Sequence, residues 1–207
     1  MRGCRIVLDD TGAAPARGCH PHRQSAMAAL RQNMIERHLR DERWIFWVDA
    51  DVVAYPAHLL EQLITRCDGG IAAPMVIMEG SLDEPVNKAG FGPGRFYDIA
   101  GFVERGRWAR FTQPYFDQVG PVYELDSVGS CYLVNADLYR WGGRHEVDVA
   151  SINFVSTNSV WSEDTIHRNQ EAKANCFTEH YSICAFARST GLPVRAFGDL
   201  IAYHQKN

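Results

Sequence analysis

Residues 44–51 read WIFWVDAD: five apolar residues run straight into two carboxylates separated by one alanine, and the chain continues VVAYP. A near-continuous apolar run of this length is the pattern of a strand covered on both faces of a sheet. Open α/β sheets bind ligands beyond the carboxyl ends of their strands, which is where Asp49 and Asp51 fall. Residues at i and i+2 of an extended segment point the same way. The two acids are therefore placed to converge on one hard divalent cation, Mg²⁺ or Mn²⁺. The plain alternative is a turn cap at Asp51 and a solvated strand end at Asp49.

Outward from this stretch the chain alternates. On the N-terminal side, Met27, Leu30, Met34, Ile35 and Leu39 recur at helical spacing and predict a helix from Arg23 to Leu39. Before it, RIVLDD (5–10) reads as a short buried strand and TGAAPARGCHPH as a loop. On the C-terminal side, Pro56 opens a helix to about Arg66, and GIAAPMVI (70–77) reads as a central strand. Strand, helix, strand, helix, strand is the rhythm of an α/β domain with a mixed, mostly parallel central sheet flanked by helices.

The middle is rich in Gly, Pro and polar residues over 79–97, followed by a hairpin turning at Arg105-Gly106. SCYLVN (130–135) returns to the core sheet. Residues 142–175 are polar and without period, as in a lid or an acceptor-binding loop. Glu179 to Thr190 predicts a helix stopped by Gly191 and Pro193, and two short strands, VRAF and LIAYH, close the chain. No internal repeat or linker divides it, so 1–207 reads as a single domain.

The formal net charge of -4 disfavours a dedicated nucleic-acid binder. Six cysteines form no C-x-x-C pair, and Cys4, Cys19, His20 and His22 match no common zinc spacing, so reduced thiols are expected. No apolar run approaches the roughly 20 residues of a membrane span. The chain as given reads as cytoplasmic, and as luminal and Golgi-like only if an anchor has been removed from its start.

His204, ending the apolar LIAYH, is a candidate third metal ligand, since neutral imidazole suits Mn²⁺ better than Mg²⁺. With HRQSAMAALRQNMI, WIFWVDADVV, FYDIAGF, ELDSVGSCYLVNADLYRWGG and TEHYSICAFARSTGLPVRAFGDLIAYH in this order, the chain resembles the fungal mannan-polymerase glycosyltransferases. These are retaining, GDP-mannose-using subunits of Golgi mannosyltransferase complexes. The resemblance runs from about Arg23 to His204.

That resemblance implies a GT-A (Rossmann-like) fold. It implies that Asp49 reaches the donor ribose or the metal, that Asp51 binds metal, and that His204 completes the shell. Asp98 in FYD and Asp126 in ELDSVGS fall on acidic positions near the donor sugar. Glu179 falls on the acid opening the acceptor-side helix, and Arg31 is placed to meet the nucleotide or diphosphate. Few residues precede the first helix, so either RIVLDD substitutes for the usual first nucleotide-binding strand or that strand is lacking.

Chemistry gives some of these residues reasons of their own. Asp126 precedes Ser127, Gly129 and Ser130, small residues that let a sugar approach the backbone closely at Gly129. A turn-capping role explains Asp126 equally well. Glu179 complements a helix dipole, and it is also placed to orient acceptor hydroxyls or assist proton transfer. His180 reads as a supporting residue. Tyr97, Trp108, Tyr115 and Trp161 offer rings for sugar stacking or for core packing.

The function expected is a metal-dependent, retaining transfer of a sugar from a nucleotide diphosphate sugar (GDP-mannose or a UDP-sugar) to a hydroxyl acceptor. Glycan, protein, lipid and modified nucleobase are all open as acceptors, and a homo- or hetero-oligomer is an expected form. The alternative is a non-catalytic nucleotide-sugar-binding or scaffold subunit with the same fold. A metal-dependent hydrolase or nucleotidyltransferase ranks last, because no Gly-rich phosphate loop and no denser His/Asp cluster is visible.

Overall fold

A computed structural model describes residues 5–7, 21–78, 103–104, 122–146 and 179–205. In chain order these form α1 (Pro21–His38), β1 (Trp44–Val48), β2 (Val52–Ala54), α2 (Leu59–Arg66), β3 (Ile71–Met78) and β4 (Val103–Glu104). They continue with β5 (Val122–Ser127), β6 (Cys131–Asn135), α3 (Asp137–Arg140), α4 (Tyr181–Ser189) and β7 (Val194–His204). The sheet order is β1-β6-β3-β7-β5-β4, with β2 pairing β7.

The molecule is mixed α/β, but its sheet is mostly antiparallel, which corrects the expected parallel arrangement. Among the described residues only β3 and β7 pair in parallel; β1–β6, β3–β6, β5–β7, β4–β5 and β2–β7 are antiparallel. The physical reason is the place of β6. β1 and β3 do run the same way, as their helix-linked succession requires, but CYLVN enters between them in the opposite sense. A strand-helix-strand rhythm fixes relative direction and leaves adjacency open.

Each face of the sheet carries its own apolar layer. Ile45, Trp47, Ile71, Ala73 and Met75 pack with Ile35 of α1, Leu138 of α3 and Ile183, Cys184 and Ala187 of α4. Trp44, Phe46, Ala72 and Val76 pack instead with Leu59, Leu63 and Cys67 on and just after α2. That division explains why residues 44–48 are apolar without alternation: successive side chains enter different cores.

Strand β7 is a single 11-residue element rather than the two strands expected. Its register on β3 jumps from Pro74↔Phe197 to Met75↔Ile201, so Gly198, Asp199 and Leu200 form an irregular step. Arg66 holds that step, donating to both carboxylate oxygens of Asp199 at 2.8 and 2.9 Å while its guanidinium covers the Phe197 ring at 4.0 Å.

Three elements were not expected from the sequence: β2, α3 and β5. Helix α2 begins at Leu59, later than Pro56, whose carbonyl accepts the Leu59 N–H at 2.9 Å. The reading of RIVLDD as a buried strand fails over 5–7. These residues form no strand and Ile6 is 81% exposed, while Arg5 is tied to the His38 carbonyl and Glu42. Of the expected hairpin at Arg105-Gly106, Val103–Glu104 pairs β5 and the remainder lies outside the described residues. Residues 79–97 and all of 142–175 beyond Glu146 also lie outside them. Cys67, Cys131 and Cys184 are buried thiols outside any disulfide, and burial pushes the Cys184 thiol up to about 12. Among the described residues no helix is long and apolar enough to cross a membrane.

Candidate active site

Strands β1, β3 and β7 share one direction, so the ends carrying Asp49 and His204 face the same edge of the sheet. Past β1 the Asp49 N–H donates to the Ser130 carbonyl at 2.9 Å, and the Asp49 carbonyl accepts from Val52 at 3.0 Å. This tight reversal feeds β2, whose Val52 pairs His204, and the Gln205 N–H donates to the Asp51 carbonyl at 2.8 Å. Two segments from far apart in the sequence are thereby locked together.

The result is a contact of 2.9 Å between Asp51 Oδ2 and His204 Nε2, with His204 fully buried and the Asp51 side chain half-exposed. His204 Nδ1 lies 2.8 Å from the Gln205 carbonyl, an acceptor, so the ring proton belongs on Nδ1. Nε2, the other ring nitrogen, faces the Asp51 carboxylate oxygen. Two acceptors at this distance require a proton or a cation between them. Neighbouring donors on an octahedral ion, with bonds of about 2.1 Å, stand about 3 Å apart. A shared proton satisfies the pair as well as a cation does, and were a cation present the mixed N/O donor set would suit Mn²⁺.

Asp49 does not join them. Its Oδ1 accepts from Arg31 Nη2 at 2.6 Å, so Asp49 serves as the partner of a buried guanidinium. Among the described residues, no group of three or more His, Cys, Asp or Glu is arranged to hold a metal ion.

Arg31 organises the neighbouring half of the site. It projects from the buried face of α1, 4% exposed, with its guanidinium carbon 5.1 Å from the centre of the Trp47 ring and 5.8 Å from that of Tyr132. Its Nε lies 3.9 Å from Glu179 Oε1. Burial works against the charge, but Tyr132, Asp49 and Glu179 outweigh it and hold the group above the usual arginine range. Burial raises the Asp49 carboxyl although Arg31 opposes the shift, and the charges of Glu179 and Asp51 raise it further.

Rings surround this cation. His180 Nε2 is 3.3 Å from Glu179 Oε1, and its Nδ1 is 3.1 Å from the Tyr132 hydroxyl. Neutral His180 accepts from Tyr132 and directs Nε2–H at the carboxylate, the supporting role expected of it. Burial, with the nearby charge of Arg31, holds its pKa well below the usual range. His145 bonds Tyr139 through Nε2 at 2.9 Å and the Glu179 carbonyl through Nδ1 at 2.8 Å. Burial lowers its pKa to about 3.

The sequence-derived residues thus fall into separate groups. Arg31, Asp49 and Glu179 form one charge cluster, and Asp51 and His204 meet beside it. Asp126 is placed by Arg188 of α4, with Nε 3.3 Å from Oδ1 and Nη1 donating to the Asp126 carbonyl at 2.6 Å. Gly129 is buried in the β5–β6 link, next to the Ser130 carbonyl that anchors Asp49. Asp98, Tyr97, Trp108, Tyr115 and Trp161 lie outside the described residues, as do Cys4, Cys19 and His20 of the disfavoured zinc set. His145 and Tyr139 were missed. The one available signal was Trp47, since a buried indole N–H must find an acceptor.

Residues 15–114 match the Anp1 family model. The span is just under half of the 207-residue chain and carries Arg31, Asp49 and Asp51. The model describes subunits of fungal Golgi mannosyltransferase complexes, which fits the resemblance read from the sequence at a coarse level. Glu179 and His204 lie beyond the matched span. No curated protein matches the chain.

Proposed function

We propose that this chain is a metal-dependent glycosyltransferase of GT-A type, moving a sugar from a nucleotide diphosphate donor to a hydroxyl acceptor with retention. The observation that carries the reading is the Asp51–His204 contact at 2.9 Å beside the Arg31–Asp49–Glu179 cluster. The Anp1 match supports the same activity and makes mannose, as GDP-mannose, the first donor to test. It also supports an oligomeric working form, because that family's members are complex subunits.

Asp51 and His204 would hold the cation, Mn²⁺ or Mg²⁺. When bound, it supplies the charge that stabilises a departing nucleoside diphosphate. Asp49, oriented by Arg31, accepts hydrogen bonds from donor hydroxyls, and the fixed positive charge of Arg31 favours the polyanionic end of the donor. Gly129 lies at a small-residue wall where the sugar approaches. Glu179, held by His180 and Arg31, orients the acceptor hydroxyl, with Asp98 and Asp126 assigned to the sugar. In a retaining transfer the departing phosphate takes the acceptor proton, so no strong base is required.

The test is thermal unfolding with GDP or UDP, each with Mn²⁺ or with EDTA. A nucleotide at about 100 times its Kd adds about 2.7 kcal/mol to stability, and the reading predicts that EDTA abolishes this gain. No stabilisation by either nucleotide overturns the reading. Stabilisation without transfer or hydrolysis of any donor identifies a binding subunit instead.

A further inference from the structure

Trp47 lies two residues before Asp49 on β1, and its Nε1–H donates to the Tyr139 hydroxyl at 3.0 Å. The chain of bonds continues through His145 Nε2 at 2.9 Å and ends at the Glu179 carbonyl, 2.8 Å from Nδ1. For neutral His145 only one arrangement of hydrogens satisfies every member. The Glu179 carbonyl must accept, so Nδ1 carries the proton; Nε2 then accepts from Tyr139, whose oxygen accepts from Trp47. Trp47, Tyr139 and His145 are all buried.

The same segment is clamped twice more. The His145 N–H donates to Gln32 Oε1 of α1 at 3.1 Å, and the Glu146 N–H donates to Ser182 Oγ of α4 at 2.8 Å. Ser182 Oγ in turn donates to the Arg144 carbonyl at 2.7 Å. A fully satisfied buried network of this kind is rigid, because each lost bond strands a polar group away from water.

We propose that His145 is a positioning residue which, through Tyr139 and Trp47, sets the separation between the strand carrying Asp49 and the turn carrying Glu179. The assignment of Asp49 and Glu179 to donor and acceptor rests on the glycosyl-transfer reading; the relay itself does not. Its purpose is registry. Asp49 and Glu179 come from distant parts of the chain, and the direct link between their side chains, through Arg31, includes a contact as long as 3.9 Å on one side.

Two readouts on the full chain test the relay. Imidazole ¹⁵N–¹H correlation spectra should show His145 as the Nδ1–H tautomer in the wild-type protein and should require no turnover. His145→Phe keeps a ring but removes both bonds, whereas His145→Asn restores a donor near Nδ1. Misplacement of reacting groups by about 1 Å costs about a hundredfold, so His145→Phe should lose roughly that factor in kcat. The donor KM should stay within about threefold, and His145→Asn should recover about tenfold in kcat. Tyr139→Phe, which cuts the relay at its middle while keeping both the Tyr139 ring and the His145 bond to Glu179, should also lower kcat at unchanged KM.

An Nε2–H tautomer overturns the relay. So does near-wild-type kcat in either His145→Phe or Tyr139→Phe, or a KM that rises in step with the fall in kcat. Wild-type protein without donor turnover overturns the proposed function, and the tautomer then decides the relay by itself.

Discussion

Asp51 and His204 lie far apart in the chain and meet at 2.9 Å because Val52 and Ala54 of β2 pair with His204 and Tyr203 of β7. Neither residue is held by packing alone. The Gln205 N–H donates to the Asp51 carbonyl at 2.8 Å and the Gln205 carbonyl accepts from His204 Nδ1 at 2.8 Å, so one residue fixes both partners. This dependence makes the site sensitive to the backbone at the β7 end as well as to the two side chains.

Arg31 carries the heaviest structural consequence. Replacing it with methionine leaves the Asp49 and Glu179 carboxylates beside an apolar cavity wall of Trp47 and Tyr132. Removing one partner of a buried ion pair costs about 3–5 kcal/mol, and urea denaturation of Arg31→Met should show a loss of that size. Arg31→Lys should recover only part of it, because a point charge cannot reproduce the planar fork lying against two rings.

Stability should fall in mild acid. Burial lowers His145 to about 3 from 6.5 and lowers His180 in the same direction. Below about pH 6.5 the unfolded chain therefore binds protons that the native histidines refuse, and stability declines as pH falls. Each histidine contributes up to about 1.4 kcal/mol per pH unit in this window. The raised Asp49 carboxyl acts oppositely, gaining its proton in the native state first, and softens the decline at its acid end. Urea midpoints measured from pH 7 downward should trace this slope, and His145→Asn should flatten it.

Tyr139→Phe should destabilise the protein although it removes one oxygen. Trp47 Nε1 and His145 Nε2 both lose their buried partner, and each stranded group costs about 1–3 kcal/mol. Chemical denaturation should show a total near the sum of two such losses. A change below about 0.5 kcal/mol, the range of ordinary surface substitutions, would mean that water replaces the hydroxyl.

Gly70→Ala tests the join of β3 and β7. A Cβ on Gly70 would stand 2.0 Å from the Pro193 carbonyl oxygen, the acceptor of the Ile71 N–H at 2.9 Å. Backbone cannot yield as a side-chain tip can, so a loss of at least about 3 kcal/mol is expected, above the usual range for overpacking. Thermal unfolding of the variant checks it.

The sequence disclosed the parts of this fold that depend on local pattern. WIFWV and its two carboxylates gave β1 and the Asp49–Asp51 edge, and the apolar spacing around Arg31 gave α1. Gly198-Asp199 was read as a break between strands; it is the irregular step within β7 that Arg66 and Asp199 secure. Strand pairing was less legible. VYELDS alternates cleanly, with Tyr123, Leu125 and Ser127 buried, yet its small-residue continuation drew the reading toward a turn. The insertion of β6 between β1 and β3 is a choice among neighbours that no local period records. In the site, Arg31, Asp49, Asp51, Glu179 and His204 stood out by residue type and by resemblance. His145 did not, because its role depends on a bond to a main-chain carbonyl more than 30 residues away.

The most direct test of the central claim is Mn²⁺-dependent turnover of GDP-mannose by the wild-type protein and by Asp51→Asn, with binding of Mn²⁺ and GDP measured on both. The account predicts turnover that EDTA abolishes, and a loss of about a hundredfold or more in Asp51→Asn, as expected when a cation that stabilises the leaving group is displaced. Near-wild-type turnover by a folded Asp51→Asn protein would contradict it.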